Sequence, residues 1–183
     1  MLNPSTRLIL IAIAILLAAC STPAQPAERT GMPEIDHIIE TALAGDVGEL
    51  RSLVHFTQAH CTNAEGLGGP PKCLPDEAEG TLVEVLPLLG AEGSFIRKAE
   101  LQQWEGVQAA SLYAVYEVSA AAYSDENYPR GEYALVFISD NEQSYSITLQ
   151  VTQGRIVRID YGYSDPSQIN ESLVARYLVE PAK

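Results

Sequence analysis

The stretch QSYSITLQV, residues 143–151, alternates polar and apolar side chains from Ser144 onward. Tyr145, Ile147, Leu149 and Val151 fall on one side of an extended chain, and Ser146, Thr148 and Gln150 on the other. A period of two is that of a half-buried β-strand, so the stretch implies a sheet with one dry face and one polar face. Three more segments read as strands, SLYAVYEVSAAAY (111–123), GEYALVFIS (131–139) and RIVRIDYGY (155–163), separated by polar or glycine-bearing turns. Short connections make neighbours antiparallel. Matching apolar faces sets the register: Phe137 opposite Tyr145 with Asp140 to Glu142 as the loop, then Val157 opposite Val151, Ile159 opposite Leu149 and Tyr163 opposite Tyr145. Phe137, Tyr145, Tyr161 and Tyr163 then gather at one end of one face. They are the candidate ligand-binding cluster, a pocket mouth for a glycan, a peptide or a small apolar ligand; a purely structural role, rings buried and hydroxyls wet, is the competing reading.

The first half is helical. Pro33 suits a first helical position, and Ile35, Ile38, Ile39, Ala42 and Leu43 repeat on one helix face up to Gly45. Asp46 with Glu49 three residues on is a capping box for a second helix with the stripe Val47, Leu50, Leu53 and Val54, so the two form a helical hairpin. Residues 81–89 read as a strand whose Pro87 calls for an edge or a bulge, and a short helix follows near Ala99 to Glu105. Asp165 and Pro166 open a final helix to about Val179, with the stripe Ile169, Leu173 and Tyr177. The expected class is α+β: a helical hairpin packed on a curved antiparallel sheet, plus a C-terminal helix.

The N-terminus sets the compartment. Arg7 precedes the apolar run Leu8 to Ala19, too short to span a bilayer and built like a secretory signal, and Cys20 follows directly. Leu17-Ala18-Ala19-Cys20 resembles the lipobox of bacterial lipoproteins, which implies lipidation of Cys20, removal of residues 1–19 and a location in the cell envelope outside the cytosol. The alternative is an ordinary signal with an incidental cysteine. Residues 20–32 lack apolar periodicity and read as a tether reaching about 40 Å at full extension. One domain then spans 33–180, with a thiol loop at 57–79 that holds CTNAEGLGGPPKC. Cys61 and Cys73 remain as a pair, and outside the cytosol a disulfide is their default. Zinc on His55, His60, Cys61 and Cys73 lacks the second closely spaced ligand pair, and eleven intervening residues are too many for a redox motif, so no metal is expected.

The whole chain carries a formal charge of −13, and loss of Arg7 with the signal makes it −14. That field excludes nucleic acid as a partner and leaves the acyl chains, not a basic patch, to hold the membrane. No glycine run has a P-loop or dinucleotide spacing, so no cofactor is expected. SDENYPRGE, 124–132, reads as a solvated turn. In order of elements, residues 33–162 resemble the NTF2-like, or SnoaL-like, cone, and the stretch from Cys61 to Val85 is similar to uncharacterised exported bacterial proteins. The cone resemblance implies a pocket, with Asp36, His37 and His55 as the weak catalytic candidates; each flanks an apolar helix stripe, where a structural role is commoner. Two functions follow: a non-catalytic lipoprotein that binds a ligand or partner, or a small cone enzyme, an isomerase or hydrolase, acting on an apolar substrate.

Overall fold

The computed structural model describes residues 29–66, 68–140 and 145–181; Cys20, the signal and most of the tether lie outside them. Helix α1 (Pro33–Ala44) starts at the expected proline and buries Ile35, Ile38, Ile39 and Ala42. It stops where Gly45 adopts φ 64°, a left-handed backbone that a side chain would disfavour. Asp46 accepts the Glu49 N–H at 3.0 Å and opens α2 (Val47–Ser52), which drives Leu50 fully out of water.

The remaining chain is α+β with an open, mostly antiparallel sheet of eight strands: β1 (Thr57–His60), β2 (Leu82–Leu89), β3 (Ser94–Arg97), β4 (Ala109–Val118), β5 (Tyr133–Ser139), β6 (Ser146–Thr152), β7 (Arg155–Gly162) and β8 (Val174–Val179). The order is β1-β2-β7-β6-β5-β4-β8, with β3 added to β2. Val85 pairs with both Thr57 and Arg97, and Leu88 with both Ser94 and Ile159. One edge of β2 is therefore shared by β1 and a short parallel contact with β7, and β3 holds the other. Pro87 lies opposite Phe95 of that outlying strand, in a strand with neighbours on both sides, so the expected edge or bulge is not found; it falls instead between the stretches where β1 and β7 share the other side.

The structure departs from expectation at the C-terminus and in two strand registers. The segment read as a C-terminal helix forms two 3-10 turns, Pro166–Gln168 and Glu171–Leu173, and then β8, which pairs with β4 from Val118↔Val174 to Val115↔Val179. The Asp165 cap does form, accepting the Ser167 N–H at 2.8 Å, but the open edge of β4 captures Val174 onward and hydrogen bonding there overrides the helical spacing. The β5–β6 register is also shifted by two, placing Phe137 opposite Ile147 rather than Tyr145. A two-residue slip keeps every side chain on its face, so apolar matching cannot detect it. Between β6 and β7, Leu149 meets Ile159 as expected, but an irregularity then sets Val151 against Ile156 instead of Val157.

The two faces of the sheet are both covered. The inner face packs Val115, Leu135, Phe137, Ile147, Leu149, Val151, Ile156 and Ile159 against α1, Leu50 and Leu101, and most of these side chains are wholly buried. The outer face holds a second, smaller cluster of Ala114, Tyr116, Ala134 and Val136, with Ile169 and Tyr177 packed on it. Beside it stands Arg158, only 3% exposed. Its guanidinium donates to both oxygens of Asp160 at 2.6 and 2.9 Å and to the carbonyls of Tyr123 and Tyr128, each at 3.1 Å. Gln150 donates to Asp160 at 2.9 Å and accepts the Gly131 N–H at 3.0 Å. A side chain at Gly131 would put a Cβ 2.4 Å from the Val151 nitrogen, so only glycine lets the strand approach this closely. The strand expected over 111–123 ends at Val118, and the connection 119–132, of which 124–132 was expected to be a solvated turn, is a strap fastened across the outer face through the buried Arg158.

Candidate functional site

A hollow of about 510 Å³ opens beside β3 at one end of the inner face. Strands supply its floor: Leu88 from β2, Ile147 from β6 and Tyr161 from β7. One wall is Phe95 and Ile96 of β3; the other is Trp104 and Val107, just after the 3-10 segment Lys98–Gln103. Glu100, Gln103, Glu105 and Gln108 stand on this rim and are exposed.

The irregular wall is held in place by polar contacts to its backbone. The Trp104 N–H donates to Leu101 at 3.1 Å, and the Arg51 guanidinium donates through Nε at 3.1 Å, and also through an Nη, to the Trp104 carbonyl. Four residues on, the Gln108 carbonyl accepts the Asp140 N–H at 3.0 Å. With both ends tied and Leu101, Trp104 and Val107 buried, the wall is preformed. Burial raises the Tyr161 hydroxyl above the usual tyrosine range, with a smaller contribution from Tyr163.

Two smaller hollows adjoin it. One of about 220 Å³ shares Leu88 and Tyr161 and adds Tyr163 and the turn 90–94. The other, about 350 Å³, shares Phe95 and Glu100 and is walled by Pro70, Pro71 and Lys72 of the thiol loop. That loop is closed by the Cys61–Cys73 disulfide, with a Cα separation of 4.9 Å, as cysteine pairing in an oxidising compartment predicts. Arg97 secures it, donating to both Glu77 oxygens at 2.8 Å and to the Lys72 carbonyl at 2.6 Å. These bonds hold the Glu77 carboxyl below the ordinary range. Although Cys61, Cys73 and Glu77 lie within 4.8 Å of one another, the sulfurs are spent on each other and the carboxylate on Arg97, which leaves no thiolate for a metal.

The structure divides the expected aromatic cluster. Phe137 is wholly buried in the core, Tyr161 lines the groove, Tyr163 lines the adjoining hollow, and Tyr145, 65% exposed, lines none of the three. Asp36 accepts the N–H and hydroxyl of Thr30, both at 2.8 Å, and fixes the chain entering α1. His37 pairs with Glu49 at 3.0 Å on the surface, and the backbone N–H of exposed His55 donates to the Ile156 carbonyl at 2.9 Å. None of these three lines the hollows described, and they do not converge. Sequence reasoning missed Trp104 and its glutamate neighbours. The chain's one tryptophan, set in a segment of polar residues ending at Gly106, was the available signal.

No protein-family model, curated protein or solved structure matches the chain.

Proposed function

We propose that this protein is a lipid-anchored component of the bacterial cell envelope, held by Cys20, whose domain binds a small ligand without transforming it. The observation that carries the binding role is the preformed groove, of a volume typical of small-molecule sites, with an apolar floor and a few polar groups at its rim. Its lining offers carboxylates and amides but no histidine, serine, cysteine or lysine to complete a nucleophile and base, which favours binding over catalysis. The anchor is supported by the Leu17-Ala18-Ala19-Cys20 lipobox, and the Cys61–Cys73 bridge suits an oxidising compartment. In this reading α1 and α2 form the helical hairpin of a cone-shaped, NTF2-like domain, and the groove is the cone's mouth.

Two measurements test the proposal. Cells fed an alkyne-tagged palmitate should label the wild-type chain and not Cys20→Ser; equal labelling of both would sink the anchor. A screen of small compounds by amide NMR should give saturable shifts at Ile96, Trp104 and Ile147 and none at Arg158. A library that shifts none of the groove residues would sink the binding role.

A further inference from the structure

We infer that the groove's ligand is an organic cation, an ammonium group joined to a compact apolar or aromatic body. The inference rests on the binding reading above and names its ligand class. Phe95, Trp104 and Tyr161 bring three rings into the lining, and Glu100 and Glu105 bring two carboxylates, whereas the lining contains no lysine or arginine. The neighbouring cations are already committed. Arg97 forks onto Glu77 at 2.8 Å, and Lys98 reaches both oxygens of Glu84 at 3.0 and 2.9 Å. Arg51 stands behind the wall with its guanidinium on the Trp104 carbonyl. The groove lining itself therefore carries two carboxylates and no cation, on a chain whose formal charge is already −13.

The layout also separates the two halves of such a ligand. Leu88, Ile96, Ile147 and Tyr161 receive an apolar body, while Glu100 and Glu105 are exposed, so an ammonium beside them keeps part of its hydration. Aromatic faces attract a cation and repel a carboxylate. An anion of the same shape would meet both glutamates without a partner. A neutral analogue gains the floor contacts alone.

Three probes that share one phenethyl body test this on the full chain kept in non-ionic detergent: phenethylammonium, phenethyl alcohol and 3-phenylpropanoate. Emission from Trp104, the only tryptophan, reports occupancy. Phenethylammonium should bind about tenfold more tightly than the carboxylate at low salt, with the alcohol between them, and 1 M NaCl should shrink the gap. Glu100→Gln combined with Glu105→Gln should remove most, though not all, of the ammonium's advantage over the alcohol, because the rings remain, and circular dichroism checks that the variant is folded. Equal binding of all three probes would overturn the cation inference and leave the binding role standing. Absence of saturable binding by any of them would overturn it too, and the compound screen then decides whether the binding role falls with it.

Discussion

The inner and outer faces of one sheet are both dry, yet different chemistry dries them. Inside, strand residues such as Leu149 and Ile159 share one apolar cluster with the buried side of α1, and the same surface runs on into the groove floor at Ile147 and Tyr161. Outside, the middle of β6 and β7 carries Gln150, Arg158 and Asp160, and a polar strap closes over them by hydrogen bonds. Apolar packing is non-directional and tolerates an opening at its end, which is where a ligand site can form. A buried charge requires every partner in place, so the outer face is closed and specific.

The largest effects should separate the faces by what rescues them. Leu149→Ala should cost about 2–5 kcal/mol by leaving a cavity, and Arg158→Met about 3–5 kcal/mol by stranding Asp160 and two carbonyls. Adding Asp160→Leu to Arg158→Met should return more than half of the loss, because the uncompensated charge goes with it. Urea unfolding of the three variants checks this. An Arg158→Met cost below about 1 kcal/mol would mean that the strap is held by something else.

Reducing the Cys61–Cys73 bridge should come next, at about 3 kcal/mol for a loop of this size, read as a lower urea midpoint in reductant. The bridge lies with Ala59, Val83 and Val85 in a cluster separate from both the inner core and the outer one. The mild form of the experiment, reduction without denaturant, should therefore disturb NMR signals of residues 61–77 and spare those of 174–179, which pair with β4 away from the loop.

Tyr116 tests the outer face by pH. Burial, reinforced by the Asp160 charge, pushes its hydroxyl up to about 12. The unfolded chain ionises near 10, so the folded state keeps the proton that the unfolded state loses. This contribution to stability is complete below pH 10 and is lost as pH rises from 10 to 12. Tyr116→Phe should flatten the fall in stability over that window, measured by urea unfolding at pH 9, 10 and 11. An unchanged slope would mean that water reaches this hydroxyl.

What was legible in the sequence follows the range of the interactions involved. Pro33, Gly45 and Asp46 act within a turn of the backbone, and α1 and the start of α2 lie where those residues place them. Alternation in β6 and β7 likewise identified the inner face and the Leu149–Ile159 pairing. The strand at Val174–Val179 was illegible because its cause is the edge of β4, some sixty residues earlier in the chain. The strap was illegible because its composition is that of a turn; Arg158, a charge set between Val157 and Ile159, was the one hint that the polar face is covered. The groove wall depends on Arg51 gripping the Trp104 carbonyl from 53 residues away, which no local pattern announces.

The smallest expected effect is the sharpest control on the comparison. Arg176 and Glu117 form an arginine–carboxylate pair between β8 and β4, chemically the same as Arg158 and Asp160. Their side chains are 66% and 33% exposed, against 3% and 23% for the pair under the strap. Water competes for both exposed partners, and ordering two long side chains costs entropy, so Glu117→Gln should change stability by less than about 1 kcal/mol. The effect should vanish in 1 M NaCl, where charges several ångströms apart at a surface no longer sense each other. The cost of Arg158→Met should survive the same salt, since ions cannot enter between the strap and the sheet. If both costs shrink together in salt, the outer face is wet, and the contrast between an apolar face and a closed polar one is lost.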